Sequence, residues 1–196
     1  MADFVILSGC SGGGKTTLLA ELARRGHRVV EEPGRRIVAE ERQGDGSALP
    51  WIDLAAFARR AIAMARSDCD MASALDGVVF FDRGLIDAAA ALEHATGENC
   101  LSGVADARRF HRRVFMTPPW PEIFAGDEER RHGLPDAVAE YERLLVAYSG
   151  LGYRIDVLPK TSVPERADHV LSVLQRDGLL PADAPAHAGD LVTPHR

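Results

Sequence analysis

Cysteine is scarce in this chain of 196 residues: Cys10, Cys69 and Cys100 are the only three. They form no CxxC pair and are too few and too scattered for a disulfide framework, which fits a reducing cytoplasm. There is also no long basic stripe. The formal net charge is −6, with acidic and basic residues interspersed, so a nucleic-acid surface is not expected. No apolar run approaches the roughly 20 residues that span a bilayer. The N-terminus lacks a basic flank followed by a long apolar core, so no signal peptide is expected. The seven histidines show no metal-ligand spacing. No Ser/His/Asp nucleophile arrangement is readable, and there is no internal repeat.

What is present is an ordinary globular composition, with 46% hydrophobic and 27% charged residues. That suits one domain with enough apolar material to bury a sheet on both faces. Short apolar runs alternate with helical patterns. Phe4–Ser8 reads as a strand, Lys15–Arg24 as a helix, and HRVVEEPG as a second strand closed by Pro33-Gly34. A helix follows through RRIVAEERQ, then a long one over Trp51–Leu75, then the strand GVVFFDRG. Helices read through LIDAAAALEHA and VADARRFH, a strand through RRVFMTPP, and a helix from Pro135 onward. YRIDVLP is the fifth strand and Val163–Asp177 the last helix. Alternating strands and helices predict an α/β fold with a parallel sheet and helices on both faces. Right-handed crossovers then put the ligand at the carboxyl ends of the strands. The expected domain is 1–178, with a lid-like insert at about 118–134 and a tail at 179–196.

The strongest local signal is Gly9-Cys10-Ser11-Gly12-Gly13-Gly14-Lys15-Thr16, which matches GxxxxGK[ST] and stands between a strand and a helix. Backbone N–H groups must all turn inward on an anion, and glycines permit the dihedrals this needs. The following helix adds free N–H groups and the positive end of its dipole. Gly9, Ser11, Gly12, Gly13, Gly14, Lys15, Thr16 and Thr17 are thus the expected phosphate-binding set. Lys15 is expected at the β- and γ-phosphates, and Thr16 at Mg²⁺, which keeps several waters and needs few protein oxygens. Cys10 reads as filler within the loop. Asp82, at the end of strand three, suits a second Mg²⁺ contact, direct or through water. Arg83 beside it suits a bidentate grip on phosphate or on an acceptor oxygen.

Glu-Pro after strand two and Asp-Arg after strand three resemble deoxynucleoside kinases and thymidylate kinase. The chain up to about Asp177 resembles a smaller group, the single-domain predicted ATPases with an AAA-type label, akin to the nicotinamide riboside kinase domain. The likeness is carried by FFDRGLIDAAA, PPWPEIFAGDEERRHG and VLPKTSVPERADHVL. It implies a three-layer P-loop NTPase fold with sheet order 2-3-1-4-5. It implies that Glu32 accepts a proton from an acceptor hydroxyl, unless Glu31 and Glu32 together form a solvated strand end; Glu31 stands open between the two. Arg83 would lie near the acceptor and the transferred phosphate, or form an ion pair with Asp82 or Asp87. Asp87 fits either the acceptor pocket or the helix dipole. Arg130 and Arg131 would close over the phosphoryl group from the lid, unless that loop is merely charged and solvated. Trp120, Ile123 and Phe124 would anchor the flap, line an acceptor pocket or pack in the core. Lys160–Pro164 would lie beside the base. Arg59, Arg60 and Arg66 read as solvated.

No NKxD-like guanine motif stands at a matching strand end, which leans the nucleotide toward ATP. The expected function is Mg·ATP-dependent phosphoryl transfer to an unidentified small-molecule acceptor, by a cytoplasmic monomer or homodimer without nucleic-acid or membrane partners. The rival is a slow ATPase or GTPase that acts as a nucleotide-dependent regulatory or binding module. A third reading, an inactive P-loop scaffold, conflicts with the intact Lys15, Thr16 and Asp82. An oligomeric AAA motor would need a second helical domain with sensor arginines, which the sequence lacks.

Overall fold

A computed structural model describes residues 2–104, 110–124 and 133–181. Successive side chains of the first strand, β1 (Asp3–Gly9), point to opposite faces, and both faces are buried. Phe4 and Ile6 enter one apolar cluster; Val5 and Leu7 enter another. A strand buried on both sides belongs in the middle of a parallel sheet. The observed order is β2-β3-β1-β4-β5, with every pairing parallel. The other strands are β2 (Arg28–Val30), β3 (Val78–Asp82), β4 (Phe110–Thr117) and β5 (Arg154–Val157).

The described residues form six α-helices. They are α1 (Lys15–Arg24), α2 (Pro33–Glu41), α3 (Leu54–Ala72), α4 (Leu85–Thr96), α5 (Leu134–Gly150) and α6 (Val163–Arg176). On one face, Leu18, Leu19 and Leu22 of α1 meet Val170, Val173 and Leu174 of α6 over Val5, Leu7, Phe80 and Phe115. On the other, α3, α4 and α5 pack over Phe4, Ile6, Phe81 and Val114. Fully burying each such side chain contributes roughly 1.5–3 kcal/mol. The result is the three-layer α/β fold with order 2-3-1-4-5.

Four local expectations are corrected. The second strand is only three residues long, and Pro33-Gly34 starts α2 instead of closing the strand. Pro fits there because a first-turn N–H has no helical acceptor anyway. The long helix begins at Leu54, capped by Asp53, whose carboxylate accepts from Ala56 N at 2.8 Å. Trp51 therefore stands before the helix, half-buried. The helix expected over 104–111 is not found at either described end: Ser102–Val104 is a 3-10 turn, and Phe110 and His111 already belong to β4, while 105–109 lie outside the described residues. Phe110 pairs in register with Phe4 and stacks on Phe4 and Phe81, and that aromatic contact draws it into the sheet. Finally, Leu179 and Leu180 of the expected tail pack on the α1/α6 core. Among the described residues, no helix is long and apolar enough to cross a membrane.

The register decides what lies beside the first loop. Leu7 aligns with Asp82, Gly9 with Thr117, and Val30 with Phe81. Residues at the tips of β2, β3 and β4 are thereby brought to the point where β1 gives way to the glycine loop.

At the other end of the sheet, Arg113 of β4 holds Asp177 through two hydrogen bonds of 2.7 and 2.9 Å. Those bonds keep the Asp177 carboxyl below its ordinary value. Glu21, bonded to Arg24 and Arg25, is lowered from 4.5 to about 2. A carboxylate with a depressed folded-state pKa stabilises the fold above its unfolded pKa, and that contribution is lost as pH falls through the folded value. The thermal midpoint should therefore drop progressively as pH is lowered below about 4.5 toward about 2. Circular-dichroism melts across that range check it. Arg113→Met should flatten the part due to Asp177.

Candidate active site

The glycine loop runs from β1 into α1, with Gly9, Gly12 and Gly14 all at positive φ (118°, 78° and 78°). The close approach is as demanding as the dihedrals. A Cβ on Gly9 would lie 2.4 Å from both Thr117 N and Thr117 O, and one on Gly12 would lie 2.5 Å from the Phe124 ring. Cys10 is fully buried, and its thiol donates to the Ser11 carbonyl. Among the described residues, the amides of Gly14, Lys15 and Thr16 donate to nothing. Free amides at the head of a helix are the makings of an anion site. Lys15 and Asp82 are both buried, with Lys15 Nζ 3.6 Å from Asp82 Oδ1. Thr16 is exposed at the first turn of α1, next to Lys15. Thr17 instead caps the Gly14 carbonyl at 2.9 Å.

Among the described residues, Asp82 Oδ1 has no hydrogen-bond partner although it is buried. Burial raises the pKa of this carboxyl, Lys15 lowers it, and Glu32 raises it; the balance is upward. A carboxyl oxygen left without a hydrogen bond beside Lys15 suits a cation that keeps most of its water, as Mg²⁺ does. No cluster of three or more His, Cys, Asp or Glu residues that would cage a metal occurs among the described residues.

Arg83 is the only described non-glycine residue with positive φ, at 59°. Such a backbone costs on the order of 1–3 kcal/mol and persists only when its surroundings enforce it. Here Arg83 N donates to Leu7 O at 2.8 Å, and the guanidinium sits among carboxylates. Nη1 and Nη2 fork onto Glu140 of α5 at 2.8 and 3.3 Å, and Nη2 also donates to Gly9 O at 3.1 Å. Nε lies 3.3 Å from Glu32 Oε1, and Nη1 lies 3.5 Å from Asp87 Oδ1. Burial works against the charge, but Glu140, Glu32, Asp87 and Asp82 together outweigh it, so Arg83 stays firmly protonated.

Asp87 accepts from Ser8 Oγ, from Tyr148 OH at 2.6 Å and from Gly84 N at 3.0 Å. It ties β1, α4 and α5 together at the cavity wall. Burial raises its pKa, against Arg83 and the hydroxyls of Ser8 and Tyr148.

These groups border a cavity of about 520 Å³. Ser11 of the loop, Glu32, Arg83, Asp87 and Glu140 are among its polar lining, and Trp51 and Phe57 among its apolar walls. Ala90 and Ala91 of α4 keep it open, because larger side chains there would project into it. The structure thus brings Lys15, Asp82, Glu32 and Arg83 to one place. Glu31 is exposed and lines no part of the cavity. Arg59 and Arg66 are exposed, while Arg60 pairs with Glu40 and Glu41. Ile123 and Phe124 lie against the glycine loop, Trp120 lies by the Arg166 guanidinium, and none of the three lines the cavity. Arg130 and Arg131 lie outside the described residues. Two participants escape a reading of the sequence. Glu140 sits on α5 with no motif around it. Arg166 on α6 contacts the loop carbonyls of Gly13 and Gly14 at 3.2 and 3.4 Å.

A glycine loop feeding a helix at the centre of a 2-3-1-4-5 sheet defines a P-loop protein of nucleotide-kinase-like build. The profile of the AAA domain family matches residues 4–166, and the chain belongs to that family. No curated protein matches it in sequence. Among solved structures it is similar to deoxyadenosine kinase from M. mycoides with bound dATP. That match has a TM-score of 0.64 and 14% identity, over 88% of this chain and 99% of that one. Shikimate kinase from Acinetobacter baumannii, in complex with shikimate, matches with TM-score 0.57 and 16% identity, over 92% and 97%. The YorR protein of Bacillus subtilis, in complex with phosphorylated GDP, matches with TM-score 0.57 and 14% identity, over 89% and 97%. At these identities the likeness is one of fold.

Proposed function

We propose that the protein transfers the γ-phosphoryl group of Mg·ATP to a hydroxyl- or phosphate-bearing small molecule seated in the 520 Å³ cavity. The observation that carries this reading is convergence. Glu32 and Arg83, from two different strand tips, face each other in a cavity lining that also includes Ser11 of the phosphate loop. A hydrolase needs room for one water, whereas this cavity is large enough for an organic acceptor.

The loop amides and Lys15 hold the β- and γ-phosphates. Thr16 and Asp82 would hold Mg²⁺, which when bound neutralises charge on the phosphate oxygens. Glu32 orients the acceptor hydroxyl and receives its proton as the acceptor oxygen bonds to the γ-phosphorus. The bond from that phosphorus to the β–γ bridging oxygen breaks, and ADP leaves. Arg83, fixed by Glu140, lies 3.3 Å from Glu32 and holds it in place. Residues 1–178 form the catalytic domain, with 118–134 as a lid whose Arg130 and Arg131 reach the transferring group. The apolar walls favour an acceptor with a flat body, held against Trp51 and Phe57.

The committed state of Arg83 supports a second reading, a slow nucleotide hydrolase acting as a binding module, because its fork is already engaged by Glu140. Glu32→Gln separates the two. In the kinase, labelled phosphate transfer from ATP to pooled metabolites should fall by about a hundredfold to a thousandfold, with Mg·ATP affinity retained. Phosphate release indifferent to this substitution, with no labelled product, would sink the kinase reading in favour of the hydrolase.

A further inference from the structure

Arg166 is 1% exposed, and among the described residues no carboxylate offsets its charge. Its Nε has no hydrogen-bond partner. Its guanidinium lies 5.7 Å from the centroid of the Trp120 ring, and burial alone lowers its pKa. A buried arginine without a counter-charge is costly, and the residue is kept in this position by two donors aimed at the phosphate loop. Nη2 donates to Gly13 O at 3.2 Å and Nη1 to Gly14 O at 3.4 Å.

A trans peptide fixes the consequence. The carbonyl of one residue and the N–H of the next point in opposite directions. Drawing the Gly13 and Gly14 carbonyls toward α6 therefore turns the N–H groups of Gly14 and Lys15 away from α6. These amides have no acceptor among the described residues.

We infer that Arg166 is a positioning residue for the polyphosphate: it latches two carbonyls behind the loop, aims the Gly14 and Lys15 amides at the ligand, and supplies a positive charge that the ligand itself neutralises. The inference rests on the nucleotide-binding half of the proposed function and not on the transfer step. It also separates ligand binding from stability, because an uncompensated buried charge contributes to the first and opposes the second.

The test is calorimetric titration of the full-length protein with Mg·ATP and with tripolyphosphate, which has no base. Arg166→Met should weaken both by a similar factor, about tenfold to a hundredfold. Its thermal midpoint should stay within a few degrees of the parent, because relief of the bare charge offsets two lost carbonyl contacts. Arg166→Lys, which keeps the charge but lacks the fork, should recover part of the affinity. Unchanged affinities in the Met variant overturn the inference, as do losses matched by a collapse of the midpoint in both variants. If the Met variant does not fold, the Lys variant decides: lower affinity at a native midpoint supports the latch, and parental affinity overturns it. A parent that binds neither probe removes the nucleotide site altogether. A parent that binds both but phosphorylates nothing removes only the kinase reading.

Discussion

Lys15→Met should cut phosphoryl transfer by about 10³- to 10⁵-fold, the range seen when a charge that stabilises a transferring phosphoryl group is removed. Two effects add. The first is loss of a buried ammonium from the place proposed for the β- and γ-phosphates, where charge counts for more than in solution. The second runs through Asp82. Lys15 lies 3.6 Å from its carboxylate and holds its pKa down against burial and Glu32. Without that ammonium the pKa of the carboxyl rises further, which disfavours the ionised form that a divalent cation needs. The variant should therefore need more Mg²⁺ for half-maximal activity, and the deficit should shrink as pH is raised. Single-turnover transfer measured across Mg²⁺ concentration and pH checks both parts. Activity near that of the parent would mean that Lys15 does not touch the reacting phosphates.

Arg83→Met should be the most damaging substitution for stability, at about 3–5 kcal/mol. Removing this guanidinium leaves Glu32, Asp87 and Glu140 facing one another across a partly dry space, beside Asp82. It also leaves a methionine with positive φ, a conformation that the fork and the Leu7 hydrogen bond now enforce. Urea unfolding would report the loss. The double variant Arg83→Met with Glu140→Gln should recover part of it, since one of the stranded charges is gone. If the single variant unfolds at the parental urea midpoint, the cage is less tightly coupled than its distances indicate.

The sequence was most legible where chemistry fixes residue type at fixed spacing. A loop of amides around an anion needs glycine at Gly9, Gly12 and Gly14, and the crowding by Thr117 and Phe124 adds a second requirement to the dihedral one. Glu32 and Asp82 could be picked out because strands of a parallel sheet end at the ligand, so any acid at such a tip is a candidate. The parallel α/β class followed from the alternation of strands and helices, and the order 2-3-1-4-5 from the family resemblance. Misreadings came where a neighbour decided the outcome. Phe110 is as compatible with a helix as with a strand until Phe4 and Phe81 stand beside it. Trp51 matches the helical spacing of the residues after it, and only the Asp53 cap ends that pattern. Glu140 and Arg166 were invisible for a stronger reason. Each reaches the site from the flank of a helix, and their partners, Arg83 and the loop carbonyls, lie 57 and about 152 positions away in the chain.

The middle place of β1 has a consequence for how the molecule comes together. Leu7 must find Asp82, and Gly9 must find Thr117, before the strand has neighbours on both sides. Closing such wide spans costs chain entropy well before the contacts repay it, which slows assembly in proportion to separation. The glycine cradle cannot take its bound shape from nearby residues alone, so the capacity to grip phosphate should mature with the last sheet pairings and not ahead of them.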